Sequence, residues 1–362
     1  MDTEVYSLSF IDSKLQFEID SRCLPLMNEV FYFFSSHFTI LQEKSRNVDI
    51  NITVRPYEEF SRENYKTQMF KNIIIRKNLY DYFNLYGEKS HTADQNTEII
   101  DSTHSRTALV LDKVKRSAQL FVSEKSSYQV IDFIRDLLIR LEERRGSLVL
   151  HASAVTNGKK NIAIVGKKGA GKSTFLLEFV ARHGFKFLTG DKLILRIKDS
   201  IIYAYGWPDY PSIGYGTILK HPKLSENLIK LGYDIDPNTP EAKILFPAHI
   251  LKSSLGYEYA KGPLPLDLIL LPNVLEKELL SIERIEATDS IRVIEHIEPS
   301  IKYKYIDWHS LVEPVEMEEL KPHILNLSHA LERCIFMEIK GKEYLSNDNV
   351  AEILGSDDLV LN

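Results

Sequence analysis

Apolar positions recur along this chain with a period near two or near three and a half, and each change of period marks an element. Ile50, Ile52 and Val54 alternate with polar residues as in a strand with one buried face. Residues 107–111 and 118–122 flank the polar stretch 112–117 and predict a hairpin. From 128 to 145, Val130, Ile131, Ile134, Leu137, Leu138 and Leu141 fall on one helical stripe, charges fill the other face, and Gly146 follows as a terminator. The run 88–105 is polar without a hydrophobic period and reads as a surface loop.

The pattern then tightens. Residues 147–155 read as a strand, Asn157-Gly158 as a turn, and 161–165 as a short buried strand. An Asn-Gly turn between two short strands predicts a hairpin, so the second strand gains an antiparallel neighbour and the sheet is expected to be mixed. A helix over 173–183 follows, with Phe175, Leu176, Phe179 and Val180 on its apolar side and Gly184 as its stop. A strand at 185–188 runs into Thr189-Gly190-Asp191, and strands at 193–197 and 201–205 are joined by Lys198-Asp199-Ser200. The loop 206–216 is rich in glycine, proline and aromatic residues; helix-like segments follow around 241–252 and 289–297, with strands at 267–271 and 334–339. The expected organisation is an N-terminal α+β domain over 1–146, an α/β domain with a mixed sheet over 147–345, and a tail over 346–362.

Composition narrows the class without naming it. The 362 residues are 44% hydrophobic and 27% charged, ordinary for a globular chain long enough to bury a full core. A net charge of -6 with no long basic stripe argues against a nucleic-acid partner. Cys23 and Cys334 lie far apart and read as two reduced thiols rather than a disulfide. The opening Met1-Asp2-Thr3-Glu4 has neither a basic nor an apolar leader region, and no apolar run reaches the length of a membrane span. The expectation is a cytoplasmic protein without a membrane partner; the assembly state stays open, a homo-oligomer included.

Chemistry enters at Gly166-Lys167-Lys168-Gly169-Ala170-Gly171-Lys172-Ser173-Thr174. The run satisfies G-x-x-x-x-G-K-S/T, the phosphate-binding loop, and lies between a strand and a helix as that loop must. Glycines let the backbone turn tightly around an anion, so that successive N–H groups and the positive end of a helix point at phosphates. Lys172 would reach the β- and γ-phosphates of ATP, and the Ser173 hydroxyl would hold Mg²⁺. Absences then sort the chemistry. No Asp is followed three positions later by Gly, and neither the guanine-reading Asn-Lys-x-Asp nor the Leu-Ser-Gly-Gly of transport ATPases occurs. Asp191 comes one helix and one strand after Lys172, an interval that places a carboxylate beside the γ-phosphate and an acceptor hydroxyl.

The order Leu150-His151-Ala152-Ser153-Ala154-Val155, hairpin, phosphate-binding loop, helix, then a strand into an acidic residue resembles the catalytic domain of HPr kinase/phosphorylase. It is closer still to the smaller HPr-serine-kinase-like proteins of bacterial gene clusters that make modified peptides. The run 262–271 resembles the strand after the acceptor loop in those proteins. The strong part of the likeness covers about 50 residues, 149 to 197. The resemblance implies a mixed-sheet fold related to phosphoenolpyruvate carboxykinases, Mg²⁺-ATP, and phosphoryl transfer to a hydroxyl of a protein or peptide. It also implies catalytic roles for Lys172, for Asp191 as metal neighbour and proton acceptor, and for His151 in orienting the γ-phosphate or acceptor. The family usually ends its strand with two aspartates, whereas here Asp191 is followed by Lys192.

Other features read more plainly. A lone strand histidine is otherwise a satisfied core side chain, and Lys243 could meet phosphate but reads better as a solvated helix lysine. The loop 207–215 could be an acceptor-recognition surface or a packed aromatic loop. The 11 histidines show no His-Glu-x-x-His spacing, which argues against zinc. The expectation is an ATP- and Mg²⁺-dependent kinase acting on a Ser or Thr hydroxyl of a peptide or small protein. A small-molecule kinase and an ATP-binding regulatory module without transfer are the alternatives.

Overall fold

A computed structural model describes residues 2–77, 84–274, 279–286, 290–341 and 344–355. The chain forms two compact units: Met1–Gly146 with Pro299–Glu319, and Ser147–Glu298 with Leu320–Asn362.

In the first unit the strands are β1 (Thr3–Phe10), β2 (Ser13–Asp20), β3 (Thr39–Leu41), β4 (Ile50–Pro56) and β5 (Lys71–Lys77), then β6 (Asn84–His91), β7 (Thr97–Ser102), β8 (Thr107–Asp112) and β9 (Ser117–Val122). They make one sheet in the order β3-β1-β2-β4-β9-β8-β7-β6-β5, parallel at β2–β4 and β4–β9 and antiparallel elsewhere. Ile50, Ile52 and Val54 of β4 are buried, and β8–β9 is the expected hairpin. The helices are α1 (Leu24–Phe34) and α2 (Ser127–Arg144).

Two readings of this unit change. The polar run 88–105 is not a loop: it supplies the end of β6 and all of β7. Two of its carboxylates, Glu98 and Asp101, are buried beside partners, which hid the strand period. Glu98 lies 2.6 Å from Lys89 Nζ, and Asp101 accepts from Arg62 (2.6 Å) and from the Tyr57 hydroxyl (3.0 Å). The charged side of α2 is likewise not a solvated face, since Asp132, Arg135, Arg140, Glu142 and Glu143 are buried. The chain returns at 299–319 to cover it. Arg140 donates to the carbonyls of Ile306 (2.5 Å), His309 (3.0 Å) and Val312 (2.7 Å), and Glu143 accepts from the Ser300 amide (2.7 Å) and hydroxyl.

In the second unit the strands are β10 (Leu148–Thr156), β11 (Asn161–Val165), β12 (Lys186–Thr189), β13 (Lys192–Lys198), β14 (Ile201–Gly206) and β15 (Ser212–Gly214). They continue with β16 (Lys243–Leu245), β17 (Leu264–Pro265), β18 (Leu268–Asn273), β19 (Ser281–Ile285) and β20 (Ile335–Lys340). Nine of them form a sheet in the order β17-β14-β13-β10-β11-β18-β20-β19, with β12 also on β10. The β10–β11 hairpin is antiparallel, whereas β11–β18 and β18–β20 are parallel. The unit is therefore mixed α/β with a mixed sheet, as the Asn-Gly turn implied.

The helices relevant to the site are α3 (Lys172–Arg182), α4 (Tyr215–Leu219), α5 (Pro222–Lys230), α6 (Ala248–Leu255) and α7 (Ile291–Ile294). Phe175, Leu176, Leu177, Phe179 and Val180 of α3 pack in one core with Val155, Ile162, Ile164, Leu268, Leu270 and Ile339 of the sheet. Pro247, extended at the α6 N-cap, keeps residues 243–245 out of the helix expected around 241–252, so Lys243 stands on a short strand paired with β15. The helix expected over 289–297 is confined to α7, residue 289 lying outside the described residues, because the chain straightens to bridge Ile297 to Leu150. The segment read as a tail opens with helix Asn347–Leu354, started by a capping box at Ser346 and Asn349 and burying Val350, Ile353 and Leu354.

Candidate functional site

The glycine-rich loop leaves β11 and turns into α3 through two left-handed glycines, Gly169 (φ 86°) and Gly171 (φ 109°). At Gly171 the need is double, since a Cβ would also stand 2.5 Å from Cγ1 of Val274. The loop is tied to the end of β18 by the Val274 amide donating to Ala170 O (3.1 Å). The first intrahelical bond is Phe175 N–H to Gly171 O (3.0 Å), and Gly171 offers no side-chain cap. The amides at the start of α3 are therefore left to an external acceptor, with the positive end of the helix behind them.

Lys172 curls over this loop, its ammonium donating to the carbonyls of Gly166 (2.5 Å) and Lys167 (3.3 Å). Burial pushes its pKa below the ordinary lysine range; Asp191 and Glu298 act against that shift, and Lys243 adds to it. Lys243, read from sequence as a solvated helix lysine, is therefore close enough to influence the loop lysine. Lys167, Lys168 and Gly169 are exposed, while Ser173 is half-buried on the first turn of α3. The Thr174 hydroxyl is turned to Thr217 of α4 (3.0 Å).

The second half of the site forms where β10 changes neighbours. On one edge β10 pairs with β13 over Leu148–His151 and with β12 beyond Ala154, and the chain crosses between them through Gly190 and Asp191. On the other edge β11 accompanies Ala152–Thr156; below it the segment around Ile297 takes over, with His151 N–H donating to His296 O and Glu298 N–H to Val149 O, both at 2.9 Å. The crossover is pinned by Ala152 N–H to Asp191 O (3.0 Å) and Ser153 Oγ to Gly190 O (2.7 Å).

His151 sits at this junction with Nδ1 3.3 Å from Asp191 Oδ1 and 4.0 Å from Glu298 Oε2. Alternation along the bridge puts His296 and Glu298 on the face that His151 occupies. Burial, then the charges of Lys172 and His151, push the His296 pKa down. Lys192, first residue of β13, stands opposite His151 in the β10–β13 register. The structure thus brings Lys172, His151 and Asp191 together and adds Glu298 and His296, which the sequence reading did not place there, and Lys243, which it weighed as a phosphate contact and set second to a solvated lysine. The trace of Glu298 in sequence is the alternation His296-Ile297-Glu298 around one apolar residue, too short to stand out as a strand.

Among the described residues no group of three or more His, Cys, Asp or Glu side chains is spaced to hold a metal by itself, and no helix is long and apolar enough to cross a membrane. No protein-family model matches the chain, and no curated protein matches it significantly.

Proposed function

We propose that this protein binds ATP with Mg²⁺ at the glycine-rich loop and transfers the γ-phosphoryl group to a Ser or Thr hydroxyl of a peptide or small protein. The observation that carries the reading is the convergence of two independent features. One is a strand–loop–helix turn with uncapped helix amides and a half-buried lysine. The other is a histidine–carboxylate pair close enough for its aspartate to influence that lysine.

Each residue has a physical task. The amides of residues 169–173 and the Lys172 ammonium hold the triphosphate, and Lys172 leaves its loop carbonyls for phosphate oxygens of higher charge. Ser173 Oγ and the Asp191 carboxylate would hold Mg²⁺, being hard oxygen donors of the kind and small number that this ion takes from a protein beside phosphates. The bound ion supplies charge neutralisation at the phosphates. The acceptor oxygen forms the new bond to phosphorus in line with the breaking bond to the bridging oxygen, nucleoside diphosphate leaves, and the hydroxyl proton passes to the Asp191–His151 pair. The role of the acceptor as a peptide rests on the family resemblance of residues 149–197.

A nucleotide-binding module without transfer is the second reading, supported by Lys192 opposite His151 where the resembling family carries a carboxylate. Titration calorimetry with Mg²⁺-ATP tests the binding step common to both. Binding to the full chain that weakens at least about tenfold, roughly 1.4 kcal/mol, in Lys172→Ala is the expected result. Equal affinity in wild type and variant, or none in wild type, would overturn the assignment of the loop.

A further inference from the structure

Two carboxylates address one imidazole nitrogen in this site. Asp191 and Glu298 approach His151 Nδ1 from opposite edges of β10, at 3.3 and 4.0 Å, so Nδ1 is the ring nitrogen that both carboxylates face. The site has two demands for a carboxylate: one beside the cation and one behind the imidazole. A carboxylate whose charge is taken up by a divalent ion is a weaker acceptor for Nδ1–H, and the residue next to Asp191 is Lys192. Both side chains are about half exposed, 46% for Asp191 and 47% for Glu298, so either can change partner at small cost. The backbone of Glu298 is held by its amide bond to Val149 O, so its placement does not depend on the side chain.

We propose that Glu298 is a positioning residue, which keeps the Nδ1–H tautomer of His151 when Asp191 is committed to Mg²⁺. The two carboxylates thereby divide the cation and the imidazole between them. This rests on the nucleotide reading above. Charge supports the placement, since Glu298 acts on both Lys172 and His296.

The test is long-range proton–nitrogen NMR of the full chain labelled at histidine nitrogens, with the His151 signals assigned from His151→Gln. Without ligand, wild type and Glu298→Ala both show the Nδ1–H tautomer, held by Asp191. With Mg²⁺ and a non-hydrolysable ATP analogue, wild type keeps it and Glu298→Ala loses it to a mixture. Glu298→Gln, which retains an acceptor oxygen, restores it. In parallel, kcat for transfer falls roughly 100-fold in Glu298→Ala while KM for Mg²⁺-ATP stays unchanged. Retention of the Nδ1–H tautomer by Glu298→Ala with the analogue bound would overturn the proposal alone. Failure of wild type to bind the analogue would overturn the nucleotide reading and this proposal with it.

Discussion

Gly171 and Gly169 show how a single residue type answers different demands within one loop. Both have positive φ, but the space beside Gly169 is open whereas Gly171 abuts Val274. Gly169→Ala therefore meets only backbone strain, about 1 kcal/mol, and Gly171→Ala adds a clash that takes the cost to about 3 kcal/mol. Urea unfolding of the two variants checks this ordering, and equal losses would contradict it. The cysteines make a second residue-scale case. Burial pushes the Cys23 thiol up to about 11 and the Cys334 thiol up to about 12, so neither is a thiolate at pH 8. A disulfide reagent should react with the buried Cys23 only after unfolding and slowly with the half-buried Cys334; rapid labelling of Cys23 in the native chain would contradict its burial. At this scale Lys172, His151 and Asp191 were legible because local motif and order place them. Glu298 was not, because a three-residue bridge to a strand far earlier in the chain leaves no period to detect.

Among the elements, α2 shows most clearly what periodicity reveals and what it hides. The stripe from Val130 to Leu141 gave the helix and its core face, and the described helix, Ser127–Arg144, agrees. That the charged stripe is also buried depends on a segment 150 or so positions later, which no local pattern announces. Arg140 is the anchor, fully buried and donating to three carbonyls. Arg140→Ala leaves those carbonyls without their donor and should cost at least about 3 kcal/mol in urea unfolding. A loss below about 1 kcal/mol would mean that water replaces the guanidinium freely. The same logic explains β7, where the buried carboxylates of Glu98 and Asp101, with close counter-charges, stand where a strand reading looks for apolar residues. The β10–β11 hairpin, in contrast, was legible from two residues, Asn157-Gly158, because turn chemistry is local.

For the whole molecule, pH offers a measurable signature. Burial, with Arg182 and Lys220 nearby, pushes the His221 pKa down to about 4, and burial lowers His183, His296, His309 and His91 as well. Between about 4 and the unfolded value near 6.5, the unfolded chain binds the proton that the folded chain refuses, so stability rises with pH across that window. His221 contributes about 2 kcal/mol of that rise once residual solvent screening is allowed for. Glu178, raised by burial, works in the opposite direction above its ordinary range. The two tryptophans separate the units: Trp308 belongs to the first and Trp207 to the second, and both are buried. With Trp308→Phe as background, fluorescence follows the second unit, and His221→Phe should flatten its acid destabilisation between pH 4 and 6.5. An unchanged pH profile would contradict the buried, neutral histidine. The mixed α/β class was legible from the alternation of elements. The assignment of Pro299–Glu319 to the first unit was not, since its attachment is made by hydrogen bonds to α2 rather than by a hydrophobic period.

Phosphoryl transfer itself is the most direct test of the account. Wild type, Lys172→Ala and Asp191→Asn would be incubated with γ-labelled ATP, Mg²⁺ and a lysate of the source organism. The account predicts label in a protein or peptide with wild type and a loss of at least roughly 100-fold in each variant. ATP binding by wild type with no label moved into protein, peptide or small molecule would contradict it.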